Sequence, residues 1–286
     1  MSEGKVSYIA KNSTICPVCE TEFKREELLT GGGRMNAGDL TDELHRQYLP
    51  TGRFGDVYPL IYPVTVCPNC FYAAYVPDFD SILVGTEAAA KLKMETGDRK
   101  NLVKNIDPQI DFHNNRTLKE GIASYLLAMS CYEEHSPECA PTFRQAVSAL
   151  RGGWLSMDFH KKIPDENWDY LAQVFFRKAA FFYSLVIENE ENGKEQVSSL
   201  GNLGPDVDNN YGFDGVLYLA GLLEFKYGQR TNVYKRGEKL KKARSTVARI
   251  VGMGKSSKAK PGPLLESSRD LHKRIKQELD EMGLND

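Results

Sequence analysis

Four cysteines in the first seventy residues have the types and spacing that point most directly to chemistry: Cys16-Pro17-Val18-Cys19 and Cys67-Pro68-Asn69-Cys70. A two-residue spacer lets both thiolates of a turn face one ion, and the turn's backbone N–H groups can donate to the sulfurs. Proline after the first cysteine fixes the backbone for that turn. Two such pairs brought together make a four-thiolate site, which Zn²⁺ favours tetrahedrally at about 2.3 Å, leaving no position for water or substrate. The pattern reads as a structural Zn²⁺ site with Cys16, Cys19, Cys67 and Cys70 as ligands, whose binding stabilises the fold. Iron in a rubredoxin-like site is the competing occupant. Redox chemistry is the other reading of CxxC, but it calls for one pair opening a helix after a strand, with no second pair.

The remaining reactive residues form no such pattern. Cys131 and Cys139 flank a helix end with His135 between them; a second metal site is the sharp reading, and burial in a helical core the plain one. His45, His113, His160 and His272 are scattered, and no HExxH, GxSxG, Walker or kinase motif occurs. The expectation is a protein that is not an enzyme. Between Lys235 and Lys260 stand ten basic residues against one acid, Glu238. Lys235, Lys239, Lys241 and Lys242 could serve as a footprint for nucleic acid; a solvated helix face with a basic loop is the alternative.

The elements that must position these residues fall into two regions. Residues 1–80 hold many of the prolines, glycines and strand formers, and the run Val57–Val66 leads into the second CPxC pair as an extended segment broken by Pro59 and Pro63. Gly31-Gly32-Gly33 reads as a turn within the 47-residue insert between the pairs. In the same insert, Asp39–Leu49 could make a short helix. From residue 81 to 286 the signal is helical. Ser81 caps a first helix that runs to Gly97. Thr117 and Glu120 form a capping box, and Leu118, Ile122, Tyr125, Met129 and Tyr132 share one face after it. Pro141 opens the next helix, which Gly152-Gly153 interrupts as a close contact or a break would. Trp168 to Ile187 is apolar on several sides, as in a helix buried between neighbours. A long connection follows from Glu188 to Asn210. A helix ending at Gly228, a partner helix with Tyr234, Leu240, Val247 and Ile250, and, after a basic loop from Gly252 to Gly262, a last helix opened by Pro263 and stopped by Gly283 complete the pattern.

The chain has 286 residues, 41% apolar and 27% charged, with a net charge of −2. These values exclude a disordered chain and any global attraction to polyanions. The first residues carry no apolar signal region, and no apolar run approaches the roughly 18 residues a membrane span requires. A cytoplasmic setting without a membrane partner is the expectation.

The order of motifs resembles a known family. CPVCETEFK, PLIYPVTVCPNCFYAAYVPDFD, SYLLAMSCYEE, ALRGGWLSMDF and AKPGPLLESSRDLHKRI together are similar to the bacterial domain-of-unknown-function family numbered 2225. The resemblance implies a metal-binding front with Cys16, Cys19, Cys67 and Cys70 as ligands, joined to TPR-like helices; it carries no activity with it. The sequence departs from the family in Phe71, where glycine is common, and in a glycine-rich charged insert after Lys24.

The expected architecture is therefore mainly α: a small zinc-ribbon-like module with some β structure over residues 1–80, then a TPR-like helical array over residues 81–286. The expected role is a zinc-stabilised scaffold or adaptor that binds a protein partner through those helices. A nucleic-acid-associated protein using the 235–260 segment is the alternative.

Overall fold

Each cysteine pair lies at the tip of a short antiparallel hairpin in the computed structural model, which describes residues 4–251 and 262–284. The first tip closes a nested ribbon. Its outer strands are β1 (Ser7–Ile9) and β4 (Glu26–Leu28), and its inner strands β2 (Thr14–Ile15) and β3 (Glu22–Phe23). The second tip closes β7 (Val64–Val66) against β8 (Ala73–Tyr75), with Val64 opposite Tyr75 and Val66 opposite Ala73. Every residue of β7 and β8 is buried, so this hairpin is covered on both faces. The run from Val57 is broken as expected: Pro59–Ile61 forms a 3-10 turn, and extended structure resumes at Val64.

Between the two tips, the insert forms a hairpin where a short helix was expected. β5 (Asn36–Leu40) pairs with β6 (Arg46–Leu49), with a register shift between Ala37 and Leu40. Leu44 takes a left-handed φ of 60°, which no helical run tolerates. Thr41 N donates to the His45 carbonyl at 2.9 Å and His45 N to Thr41 Oγ1 at 3.2 Å, so the chain closes on itself. Gly31, Gly32 and Gly33 all adopt positive φ in a turn.

The first helix also starts later than expected. Ser81 Oγ donates to the Asp78 carbonyl at 2.7 Å and caps nothing. Thr86 caps α1 (Glu87–Met94) by accepting from Ala89 N, and Gly97 lies inside α2 (Thr96–Lys104). The capping box of Thr117 and Glu120 opens α3 (Leu118–Cys131), and Pro141 opens α4 (Pro141–Lys162). Helix α4 is continuous through Gly152-Gly153, because these glycines mark a close approach. A β-carbon at Gly152 would stand 2.7 Å from the Phe175 ring, and one at Gly153 2.5 Å from Phe176. Both rings belong to α5 (Trp168–Glu191), which runs four residues past its expected end at Ile187. There follow α6 (Gly212–Tyr227), α7 (Val233–Val251) and α8 (Gly262–Glu281). Gly228 ends α6 in an extended conformation, φ −61°, whereas Gly283 ends α8 with φ 65°. Residues 252–261 of the expected basic loop lie outside the described residues.

The chain is thus mainly helical. From α3 to α8 each helix packs on its neighbours in sequence, and α6 also meets α8. The strands are not set apart from the helices: α3 packs on β7, β8 and the 3-10 turn. Buried apolar residues from Cys16 to Leu279 form one continuous core.

Helix α5 corrects two expectations. It is long and apolar enough to cross a membrane by length and composition alone, a test that core helices also pass. It is also not enclosed by neighbours: only 44% of its most apolar window is buried, and Phe181 and Tyr170 are 62% and 71% exposed. The face toward α4 carries Phe175 and Phe176; the opposite face is left partly open.

Candidate metal centre

The two cysteine turns are built alike. In the first, Glu20 N donates to the Cys16 carbonyl at 2.9 Å and Cys16 N to the Thr21 carbonyl at 3.0 Å. In the second, Phe71 N donates to the Cys67 carbonyl at 2.9 Å and Cys67 N to the Tyr72 carbonyl at 2.8 Å. Glu20 and Phe71 both take a left-handed φ of 59°, the conformation that lets the chain reverse after the second cysteine. It is also the position at which glycine is the cheapest residue.

These matched turns bring all four sulfurs within 4.8 Å of one another. Cys16 Sγ lies 3.6 Å from Cys70 Sγ, and Cys19 Sγ 3.6 Å from Cys67 Sγ. A tetrahedral ion with metal–sulfur bonds of about 2.3 Å separates its sulfurs by about 3.8 Å, so the cluster fits one ion. A disulfide needs about 2.05 Å, and all six cysteines are free. Cys16, Cys67 and Cys70 are buried and Cys19 is half-buried. Over Cys19 lie Asn69 Nδ2, 3.6 Å from its sulfur, and Thr21 Oγ1 at 3.2 Å.

Crowding drives the titration of the thiols apart. The Cys16 thiol, hydrogen-bonded to Cys67 and desolvated, is pushed up to about 12. The same kind of contact, to Cys16 and Cys67, raises Cys70 far above the ordinary thiol range. Cys67 takes the opposite course: hydrogen bonds from Cys16 and Cys70, with the backbone N–H groups of Cys70 and Asn69, lower it to about 2. Four thiolates side by side repel one another, and a bound divalent cation inverts that balance.

A buried cation stands behind the second turn. Arg99, 2% exposed, donates to the Cys70 carbonyl through Nε at 3.2 Å and Nη2 at 3.1 Å, and Nη2 also reaches the Leu92 carbonyl. Its Nη1 is buried without a hydrogen bond, 3.8 Å from Glu95 Oε2. Arg99 therefore ties α1 and α2 to the second cysteine turn and places positive charge behind the cluster. Sequence reading missed it, because its partners are carbonyl oxygens and no motif announces them.

The other singled-out residues lie elsewhere. Cys131 is fully buried and its sulfur accepts from Ala73 N at 3.4 Å. His135 sits between the Cys131 carbonyl, 3.0 Å, and the Tyr72 hydroxyl, 3.1 Å. Burial lowers the His135 pKa, which favours the neutral ring. With Cys139 these groups do not converge as ligands; among the described residues only the four-cysteine cluster does. On α7, Lys239 faces Glu224 at 3.7 Å, Lys242 pairs with Glu188 at 2.9 Å and Arg249 with Glu191 at 3.0 Å. Lys235 is exposed and Lys241 half-buried. Much of the basic stripe thus faces carboxylates of α5 and α6.

A second feature was not foreseen. The part-open face of α5 forms one wall of a groove of about 880 Å³ between α5, α6 and α7. Phe181 and Leu185 line it from α5, and Ala220 and Gly221 from α6.

Comparisons with known proteins give the chain a family. The family described as "Uncharacterized protein conserved in bacteria (DUF2225)" matches residues 9–275. A protein of Borreliella burgdorferi, described as "Uncharacterized protein", is 42% identical over 275 residues, which cover 96% of this chain and 98% of that one. No solved structure matches the chain. With the match running from the first hairpin to α8, the chain belongs to the DUF2225 family of uncharacterized proteins conserved in bacteria.

Proposed function

We propose that this protein is a zinc-stabilised scaffold or adaptor whose TPR-like helices hold a segment of a protein partner. The observation that carries the reading is the groove between α5, α6 and α7, with an exposed aromatic ring, Phe181, on its wall. A large apolar side chain left open beside a concavity is characteristic of a surface that meets something else. The metal is zinc and its role is structural. Three of four ligands are buried and all four are thiolates, a donor set that closes the coordination sphere. On this reading the cell-facing chemistry lies among the helices.

Two measurements test the two halves. Elemental analysis of protein purified without added metal should give about one zinc per chain, and Cys67→Ser should lower both zinc content and melting temperature. Iron in place of zinc, or an unchanged melting temperature, overturns the first half. Affinity capture from the source cell with the full chain and with Phe181→Ser tests the second: a partner held by the native chain should be lost by the variant. A partner retained equally by both removes the groove as the contact. The polyanion reading has less support, since Lys239 and Lys242 already face Glu224 and Glu188. Retention on DNA or RNA at low salt, abolished when Lys239, Lys241 and Lys242 become Glu, would reinstate it.

A further inference from the structure

We infer that the inner hairpin of the N-terminal ribbon, β2 with β3, is a metal-latched flap. An ion in the four-cysteine cluster holds its tip shut, and loss of that ion unfolds residues 14–23 while the rest of the chain stays folded. This rests on the structural-zinc reading and adds the regulation of that same site.

The two halves of the cluster are held in different ways. Cys67 and Cys70 sit at the tip of the β7–β8 hairpin, whose strand residues are all buried. Ala73 N donates to the Cys131 sulfur at 3.4 Å, Tyr75 N to the Tyr132 hydroxyl at 3.0 Å and Arg116 Nη1 to the Val64 carbonyl at 2.6 Å. Arg99 fastens the Cys70 carbonyl from behind. These bonds hold this half in place with or without an ion.

The other half hangs on two short strands. Thr14 stands opposite Phe23 and Ile15 opposite Glu22, and Ile15 and Glu22 are both exposed. A lone two-stranded hairpin is marginally stable in water at best. The outer strands do not share this weakness. Glu26, buried in β4, accepts from Arg116 N at 2.7 Å and from Ser7 Oγ at 2.5 Å, and Gly4 N donates to the Arg53 carbonyl at 2.7 Å. The ribbon is thus pinned at its base and middle, and its tip depends on the cluster. Cys16 and Val18 are buried there, which offsets only part of the backbone entropy of ordering residues 14–23. A shared ion supplies the remainder, because it joins sulfurs across the two turns, Cys16 to Cys70 and Cys19 to Cys67, each pair 3.6 Å apart. Asn69 Nδ2 adds a bond across the same gap, donating to Thr21 Oγ1 at 3.0 Å. Cys19 is the half-buried ligand, so a competing thiol or chelator reaches the ion from its side. Opening lifts Phe23 from the buried Phe79 ring, which it meets edge-on at 6.0 Å. Exposure of an apolar ring then follows metal content.

Hydrogen exchange of the full metal-loaded chain, read by mass spectrometry before and after the ion is removed with EDTA, tests the flap. Amides of residues 14–23 should lose protection by about tenfold or more. Those of residues 64–75 and of α3 to α8 should keep theirs, and added Zn²⁺ should restore the tip. Loss of protection along the whole chain, or confined to another segment, overturns the flap and leaves the structural-zinc reading standing. No change anywhere overturns both, as does a purified chain that neither holds nor takes up metal. Asn69→Ala gives a second test in a chain that keeps all four cysteines. It should release zinc to a chromogenic chelator several-fold faster than the native chain, with faster amide exchange only in the tip. Release and exchange at the native rates in that variant would overturn the latch.

Discussion

His45 and Asp206, 161 residues apart, share a 2.5 Å hydrogen bond between Nδ1 and Oδ2. The same oxygen accepts from Arg46 N at 2.8 Å. The His45 ring stacks on Trp154 at 4.2 Å, and Trp154 Nε1 donates to Glu43 Oε2 at 2.7 Å. The tip of the β5–β6 hairpin is thereby fastened to α4 and to the connection before α6. Burial alone would raise the Asp206 pKa. The hydrogen bond and charge of His45, with N–H groups of Val207 and Arg46, outweigh it and hold the carboxyl below its usual range.

A carboxylate with a depressed native pKa contributes stability at every pH above its unfolded value, about 3.9, and loses it as pH falls from there through the native value. Asp206→Asn should therefore lower the melting temperature at pH 7. It should also flatten the decline in stability that the native chain shows below about pH 4. Thermal melts across that range check this; an unchanged acid limb would mean that the pair contributes nothing to linkage.

Arg99 gives the second prediction. Arg99→Leu leaves the Cys70 and Leu92 carbonyls without their buried donor, a loss on the order of 2–3 kcal/mol. It also removes the cation beside the thiolates. The variant should release its metal to a chelator several-fold faster than the native chain, whereas Lys100→Leu, one residue away on α2, should not. Equal release rates would reduce Arg99 to a packing residue.

The two left-handed residues offer a matched pair. Glu20 pays the left-handed penalty with no ring contact to offset it, so Glu20→Gly should raise stability by about 0.5–1 kcal/mol. Phe71 has the same φ but packs edge-on against Phe112 at 5.3 Å, with Lys100 Nζ 5.7 Å over its ring. Phe71→Gly should therefore be neutral or destabilising. Urea midpoints of the two variants decide it, and a gain at both positions would show that the Phe71 contacts carry no net energy.

What the sequence revealed and what it concealed follow from the range of the interactions. The four-cysteine cluster was legible because each CPxC turn is local and its two-residue spacer is the one a shared ion requires. Thr117, Glu120, Pro141 and Gly283 were legible for the same reason, since caps and stops act within a turn of helix. The hairpin over β5 and β6 was not, because its tip depends on a left-handed Leu44, a residue type with no preference for that conformation. Arg99 and the His45–Asp206 pair were hidden because their partners are a carbonyl 29 residues away and a side chain 161 residues away. Phe181 was hidden for another reason. A helix apolar on several sides does not say which side its neighbours leave open.

Gly152 and Gly153 separate the two meanings that a glycine pair carries in a helical pattern. If they marked a hinge, alanine would straighten and stabilise the helix by about 1 kcal/mol per site. Here α4 is already continuous, and the added β-carbons would enter the Phe175 and Phe176 rings, which are 1% and 3% exposed. Buried rings in a close-packed core cannot retreat without moving α5, so overpacking should dominate. Gly152→Ala and Gly153→Ala should each destabilise the protein by about 1–3 kcal/mol. Pairing Gly152→Ala with Phe175→Leu should recover part of that loss, because the smaller side chain vacates the space the methyl group needs. Denaturant midpoints for the two single variants and the double variant complete the cycle. Additive losses, with no recovery in the double variant, would show that the glycines serve the backbone rather than the contact between α4 and α5.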